Sequence, residues 1–438
     1  MTARVAAVEL RRSAAPWIGA LAAALGWALA GDPERWDGLW MAAVLVHHGN
    51  LTLLWPVALA AGAWQGRRDR AAGMTELLRS TPRPAARRAA PLAAVVAACL
   101  AAGYGLGLLD GLARAVLHAS YRPPGWYWPV LTGALGLAAS GLLGLGLGRL
   151  LPSRLTAPLL AAGALAVLVA PQLAWPDSGA RALLLIPGHL GGTDEYSTVD
   201  GRTVAGQALW FAALAAAGAA LLAAGRRRLV APLAVLLGAA AALPVLPPAD
   251  RAAPRDPHAA ELVCAEGTPR VCVTRLYEPL LPRLTGPARR ALRVLARLPD
   301  PPTAVVQETA RYGTPVAQRR DTVHLSLTVY ADGTIATGSG SIEDDILEGA
   351  GTWKCGAADA DTATWTRIDA ARVAAGRWLR GAGTAPQELW VQDRDLVDRA
   401  LATLRALPAD AQLARVARLR DAALDCRPDL HEVLTGSA

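Results

Sequence analysis

The stretch that decides the fold is residues 66–88, GRRDRAAGMTELLRSTPRPAARR. It is a short helix-forming run, bracketed by arginines and stopped by Pro82 and Pro84. Apolar segments of membrane-spanning length flank it on both sides, so a polar cationic loop of this size has to sit in water. Its arginines predict the cytoplasmic side. Working outward from this loop, apolar runs predict spans at residues 14–30, 41–64, 91–109, 130–151, 155–175, 204–224 and 229–246. Arginine counts support the orientation, with about 15 on the inferred inner segments against about five on the inferred outer loops. An odd number of spans then puts the amino terminus inside the cell and the carboxy-terminal third outside, in a multi-pass plasma-membrane protein. The first apolar segment lacks a convincing cleavage site and further spans follow, so no cleavable signal peptide is expected.

Composition agrees. Of 438 residues, 53% are hydrophobic and only 18% charged, which is low for a soluble chain. The formal charge of +8 comes from arginines beside apolar segments, which argues for membrane topology and against nucleic-acid binding. The fourth predicted span carries Gly133, Gly136, Gly141, Gly144, Gly146 and Gly148, small residues that let helices approach closely in lipid. Trp126, Tyr127 and Trp128 suit the headgroup layer of the preceding outer loop, expected over residues 110–129. The apolar patch 182–187 in the next outer loop is expected to lie in the interface. His47 and His48, with Asn50 nearby, are candidates for a translocation path, since ionisable groups at membrane depth are functional by default. A span beginning at Gly49 would instead leave both histidines at the outer interface, the reading adopted here. Pro56 is a candidate kink.

Residues 247–258 (PPADRAAPRDPH) read as a Pro-rich linker. Beyond it the composition becomes that of a soluble α+β domain of about 180 residues, enough for its own core. Val323, Leu325, Leu327 and Val329 alternate with polar residues, a half-buried strand followed by an Asp332-Gly333 hairpin turn. Ile368, Ala371, Ala375 and Trp378 share a helix face, as do Leu413, Val416, Leu419 and Ala423. The fold class is therefore an α-helical polytopic membrane domain, with six spans and a seventh, followed by an α+β soluble domain. Cys99 lies alone in the third span and is expected to be packing. Cys264, Cys272, Cys355 and Cys426 all fall in the outer domain and read as two disulfides. Cys264 with Cys272 would close a short loop and leave Cys355 with Cys426, although sequence alone allows all three pairings. A zinc site is the rival, but the spacing is not that of paired CxxC ligands.

Chemistry is sparse. No G-x-x-x-x-G-K-[ST] string occurs, so nothing cradles nucleotide phosphates in the P-loop manner. His431-Glu432 starts an H-E-x-x-H string that Thr435 ends, and no nucleophile–base set can be assembled. No metal site, cofactor or enzymatic activity is expected in this chain. Glu343, Asp344, Asp345 and Glu348 form an acidic cluster, read as a solvated helix start.

In the opening stretch Thr75 can cap a helix, Glu76-Leu77-Leu78 sets two leucines beside a charge, and Pro82 ends the helix. Here the chain resembles type-2 ATP-binding-cassette (ABC) exporter permeases, in which a pattern like R-x-x-G-T-x-E-x-L-x-x-[ST]-P follows the second span. Arg70, Gly73, Glu76, Leu78, Thr81 and Pro82 stand at the matching positions. The chain departs from the pattern with Met74 in place of Thr, and Thr75 one residue later. The Arg-rich leader before the first span is similar to that family's interfacial helix, and the resemblance covers residues 1–246. It implies a coupling helix (Arg70, Gly73, Thr75, Glu76, Leu77, Leu78, Arg79, Thr81 and Pro82) that docks into a separate ABC ATPase subunit. ATP and Mg would be bound by that partner, and a second permease copy or sister permease would complete a dimer. The closing WLRG (378–381) and ALDC (423–426) resemble the outer domain fused to some permeases of actinobacterial type. That domain is distantly similar to gluzincin aminopeptidases without their metal motif, which implies a binding module. The alternative reading is a membrane-anchored extracytoplasmic sensor or assembly protein without transport activity.

Overall fold

The structure is a computed structural model that describes residues 2–29, 39–74, 80, 84–175, 179–223, 229–310, 316–330, 334–355, 361–381 and 394–436. The chain divides into two compact units, Met1–Asp256 and Pro257–Ala438. It is mostly helical, with one small sheet of four strands.

The first unit begins with α1 (Thr2–Arg12) and α2 (Ala15–Ala28), then α3 (Trp40–Gly49), α4 (Leu51–Gly66) and the single turn α5 (Arg68–Ala71). There follow α6 (Ala85–Gly107), α7 (Leu109–His118), α8 (Tyr127–Leu150), α9 (Thr156–Ala174), α10 (Gly201–Leu221) and α11 (Val230–Val245). Four described helices are long and apolar enough to cross a membrane: Ala85–His118, Tyr127–Leu150, Thr156–Ala174 and Gly201–Leu221. The bent pair Trp40–Gly49 and Leu51–Ala71 makes a fifth. The first and seventh expected spans form shorter apolar helices, Ala15–Ala28 and Val230–Val245. At 1.5 Å per residue such helices cover about 20–25 Å, less than a hydrocarbon core of about 30 Å. The count among the described residues is thus four or five.

Glycines set the packing. A Cβ on Gly62 of α4 would lie 2.2 Å from the Gly141 carbonyl oxygen, and one on Gly66 would lie 2.2 Å from that of Leu145. From the other side, a Cβ on Gly144 would lie 2.0 Å from the Leu59 carbonyl oxygen and one on Gly148 2.1 Å from that of Ala63. Helices α4 and α8 therefore touch backbone to backbone, which no larger residue permits at these four positions. Ser140 adds a hydrogen bond from its hydroxyl to the Trp55 carbonyl, 2.6 Å. The same device joins α2 to α6, where a Cβ on Gly103 would lie 2.2 Å from the Gly19 carbonyl oxygen and one on Gly19 2.5 Å from that of Cys99. Cys99 carries a free thiol and serves this contact through its backbone. Gly136 and Gly146 of α8 face α10, against Phe211 and Leu221.

Several local expectations change. Pro84 caps α6, so the helix starts before residue 91 and takes in Arg87 and Arg88. It runs on into α7, so the expected outer loop 110–129 starts as helix, with an Asp110–Arg114 ion pair one turn apart. The second span bends by 46° at Asn50, ahead of Pro56 and not at it. There the Asn50 amide donates to the Leu29 carbonyl at 2.9 Å and the Thr52 hydroxyl to that of Pro187 at 3.0 Å. These side chains satisfy carbonyls that interrupted helices leave open. The patch 182–187 is packed on protein, not left at an interface. A 3₁₀ turn (Arg181–Leu185) buries Leu183 and Leu184 with Leu168, Ala242 and Leu246. Gln207 and Trp210 donate to its carbonyls. Residues 247–256, expected as linker, are pinned to the loop before α10. Thr198 donates to the Pro254 carbonyl (2.9 Å), Asp200 to that of Ala252 (3.1 Å), and Arg255 pairs with Asp194 at 2.7 Å.

In the second unit the sheet order is β1-β2-β3-β4, from Leu262–Cys264, Arg270–Thr274, Ala304–Gln307 and Thr322–Leu325. The β1–β2 pair is antiparallel, and the β2–β3 and β3–β4 pairs are parallel. Helix α12 (Leu281–Leu295) supplies the β2-to-β3 crossover and buries Leu284, Ala288, Ala291, Leu292 and Leu295. The strand expected over 323–330 is shorter. It pairs only as β4, and Val329 forms an isolated antiparallel bridge with Ile335; the expected turn residues Asp332 and Gly333 lie outside the described residues. Helices α13 (Ile342–Leu347), α14 (Thr362–Arg380), α15 (Arg394–Arg405), α16 (Ala409–Leu424) and α17 (Leu430–Thr435) complete the unit. Ile368, Ala371 and Ala375 are buried on α14, and Val416, Leu419 and Ala423 on α16. Disulfides join Cys264 to Cys272, at facing positions of β1 and β2, and Cys355 to Cys426.

The glycine contacts generate a direct test. Gly144→Leu is expected to cost about 1–3 kcal/mol or more through overpacking, lowering the thermal unfolding midpoint of the purified full chain in detergent. Gly163→Leu on α9, where a Cβ meets nothing within 4 Å, is expected to leave it unchanged.

Candidate functional site

The structure resolves the 66–88 stretch into helix ends and a shorter connection. Helix α4 continues almost without interruption into α5, so residues 66–71 belong to the second span's helical end. That helix is closed by a glycine. Gly73 has φ +68°, its N–H donates to the Arg70 carbonyl at 3.1 Å, and the Met74 N–H donates to that of Asp69 at 3.0 Å. This pair of bonds is the Schellman closure, and it needs a residue that tolerates the left-handed conformation. Nothing lies within 4 Å of a Cβ at Gly73, so its backbone conformation, not crowding, calls for glycine. Arg70 is exposed on this terminal turn. Thr75, Glu76, Leu77, Leu78, Arg79, Thr81 and Pro82 lie outside the described residues.

Around the closed end, charges from three helices converge. Arg68 forms a forked contact with Glu9 of α1, at 2.8 and 3.0 Å to the two carboxylate oxygens. Asp69 accepts from Arg149, at the end of α8, at 3.1 Å, and lies 3.5 Å from Arg68 Nε. Gly66 sits against the Leu145 carbonyl and the Arg149 amide, so the ion pairs are built on the α4–α8 backbone contact. All four charged side chains are between a fifth and about a third exposed. Half-solvated pairs of this kind contribute about 0.2–1 kcal/mol each, so they fix geometry more than stability. The charges border a cavity of about 410 Å³, lined also by Gln65, Arg88, Met74, Leu92 and Leu145.

Sequence reasoning placed Arg70 and Gly73 here but missed Glu9, Gln65, Asp69 and Arg149. In sequence Arg149 is only one of the arginines that end apolar runs on the inferred inner side. An acid inside the basic run RRDR, and another inside the basic leader, were the available signals.

The other expected residues fall elsewhere. His47 and His48 are buried within the helical unit, 3% and 1% exposed. His47 Nε2 lies 2.9 Å from the Tyr104 carbonyl, and His48 Nδ1 lies 3.2 Å from that of Pro129. Carbonyls only accept, so those nitrogens carry the protons. Asn50 marks the bend beside them. Their burial follows from the bend, which starts the span's helix at Trp40 and folds its outer half against Tyr104 and Pro129.

In the second unit the acidic cluster is a helix start, but its carboxylates are partnered and not simply solvated. Ser341 caps α13 and accepts from the Asp344 N–H. Glu343 pairs with Arg290 and Asp344 with Arg380. Asp345 accepts from the backbone N–H groups of Ser339 (2.7 Å) and Gly338 (3.2 Å). Burial, with Glu348 and Asp344 nearby, raises its pKa to about 6 against the pull of those two bonds. Burial likewise raises Glu348, and it lowers the pKa of the buried Arg372 nearby. Arg372 donates to the Thr352 carbonyl at 2.7 Å. His324 lies 2.9 Å from Glu308, and His431 sits apart on α17. Among the described residues, no three His, Cys, Asp or Glu side chains converge as a metal set.

With this geometry in hand, comparison with known proteins adds no relative: no protein-family model, curated protein or solved structure matches the chain.

The Asp345 clasp has a pH signature. Its folded-state pKa lies above the ordinary 3.8, so its stabilising share is complete below that value and is lost as pH rises through about 6. Hydrogen exchange over residues 338–347, corrected for the intrinsic rate, is expected to show more protection at pH 5 than at pH 7.5. Asp345→Asn is expected to flatten that difference.

Proposed function

We propose that this chain is the membrane-spanning permease subunit of an ABC exporter, driven by an ATPase carried on a separate chain. In this reading residues 1–246 form a six-span permease-like core with a seventh span, and the loop after the second span faces the cytoplasm. The disulfide-bonded second unit faces the extracytoplasmic side of the plasma membrane and acts as a binding module. ATP and Mg stay with the partner ATPase, and a second permease copy or sister permease completes the membrane assembly.

The observation that carries the proposal is the build of the loop's base. A helix closed at Gly73 stops the second span cleanly just before the motif residues. The base below it is tied to α1 by Glu9–Arg68 and to α8 by Asp69–Arg149. A load applied to the loop would pass into two helices at once, one of them locked to α4 by backbone contact. A loop that only carried topology would need its arginines but no such bracing. The motif positions Arg70, Gly73, Glu76, Leu78, Thr81 and Pro82 give the load its source, docking into an ATPase whose closure rearranges the spans. The sensor or assembly-factor alternative leaves this bracing without a task.

The test is co-purification. A tagged full chain from its native cells is expected to bring down an ATPase, and Glu76→Ala with Leu78→Ala to reduce recovery severalfold while membrane insertion stays normal. An intact complex after deletion of residues 74–79 would sink the proposal.

A further inference from the structure

The two disulfides of the second unit differ in what they tie and in what surrounds them. Cys355–Cys426 spans 71 residues and joins the chain after α13 to the end of α16. Cys264–Cys272 spans only eight, at facing positions of β1 and β2, two strands that already pair through their backbones. A bridge over a short loop restricts the unfolded chain less than one over a long loop, so the short one contributes less to holding the fold. Its two sulfurs are also unequally placed. Cys264 is exposed, on a three-residue strand at the edge of the sheet, whereas Cys272 is buried, 1% exposed. Arg270 sets its guanidinium Nη2 3.8 Å from Cys264 Sγ and 3.9 Å from Cys272 Sγ. At the long bridge the corresponding contact is neutral, from the Gln318 amide to Cys355 Sγ at 3.5 Å.

We infer that Cys264–Cys272 is a thiol–disulfide exchange site, opened by an external dithiol, with Cys264 as the attacked sulfur and Arg270 as the group that holds the departing thiolate. Exchange needs an accessible sulfur for the incoming thiolate and a stabilised thiolate to leave. Cys264 meets the first need and the shared guanidinium contact meets the second, because a neighbouring arginine favours thiolate over thiol. One thiolate of the dithiol attacks Cys264 Sγ, the bond to Cys272 breaks, and its electron pair leaves on Cys272 Sγ beside Arg270. The second thiolate then attacks the reductant's own sulfur in the mixed disulfide and releases Cys264 as a thiolate, again beside Arg270. Two electrons pass to the protein, the reductant closes as a disulfide, and the protons of the dithiol end on Cys264 and Cys272. The loop between the cysteines has other anchors. Arg289 of α12 donates to the Glu266 and Pro269 carbonyls, and the Ala265 N–H donates to that of Val271 at 2.9 Å. The bridge can therefore open and close without the loop leaving its place. The inference rests on these residues alone and stands apart from the exporter reading.

The experiment uses the purified full chain in detergent. Dithiothreitol is added, thiols are blocked with a maleimide at timed intervals, and the labelled cysteines are read by peptide mass spectrometry. Cys264 and Cys272 are expected to label together, about tenfold faster than Cys355 and Cys426. Glutathione, a monothiol that stops at the first step, is expected on Cys264 and not on Cys272. Arg270→Gln is expected to slow reduction of the short bridge severalfold, and Arg270→Lys, which keeps the cation, to restore most of the rate. Arg270 is exposed, and the rate at Cys355–Cys426 in the same sample reports any general loosening of the variants. Reduction of Cys355–Cys426 as fast as the short bridge, glutathione on Cys272, or an unchanged rate in Arg270→Gln would each overturn the assignment.

Discussion

The contact on which the membrane unit depends is that of two backbones, Leu51–Gly66 against Tyr127–Leu150. Lipid supplies no solvent-driven force to bring helices together, so close packing and hydrogen bonds must do so. Gly62, Gly66, Gly144 and Gly148 let carbonyls of the facing helix fit where side chains would stand. Helix α8 is then committed on one face, and its Gly136 and Gly146 receive Phe211 and Leu221 of α10. Its carboxy-terminal end is held beside the end of α4, which sets Arg149 within reach of Asp69. The ion-paired base of the connecting loop is therefore a consequence of the glycine contact and not an independent feature.

At the other end of the same unit, the bend at Asn50 organises the structure in a different way. Interrupting the helix at Asn50 exposes carbonyls and hydrogen-bonding side chains, and the loop around Pro187–Gly188 answers them through Thr52 and close backbone approach. That loop buries Leu183 and Leu184, and the segment after it holds residues 247–256 through Arg255 and three backbone bonds. The segment entering the second unit is thus fixed to the membrane unit's own loops, where proline content alone reads as a free linker.

Much of this was legible in the sequence for identifiable reasons. Glycine spacing in residues 133–148 announces close helix contact, because only packing explains so many glycines in a long apolar helix. Cysteine placement announces two disulfides, and apolar periodicity finds the faces of α14 and α16. What was not legible is what depends on partners distant in sequence. The burial of His47 and His48 follows from a bend whose satisfying donors and acceptors lie elsewhere in the chain. The packing of residues 182–187 and 247–256 depends on a shared core that neither segment reveals alone. Glu9 and Asp69 looked like minor acids in basic runs until folding set them opposite Arg68 and Arg149. The shortness of Ala15–Ala28 and Val230–Val245 likewise shows where hydropathy overstates the length of a helix.

The proposed export role requires the loop after the second span to face the cytoplasm. Met74 is exposed at the loop's start, just beyond the Gly73 closure. A Met74→Cys variant, with Cys99→Ala removing the free thiol, gives a single reporter for a membrane-impermeant maleimide. The account expects labelling in inverted membrane vesicles and none in intact cells, with Cys264, Cys272, Cys355 and Cys426 unreactive until reduced. Labelling of residue 74 in intact cells would contradict it.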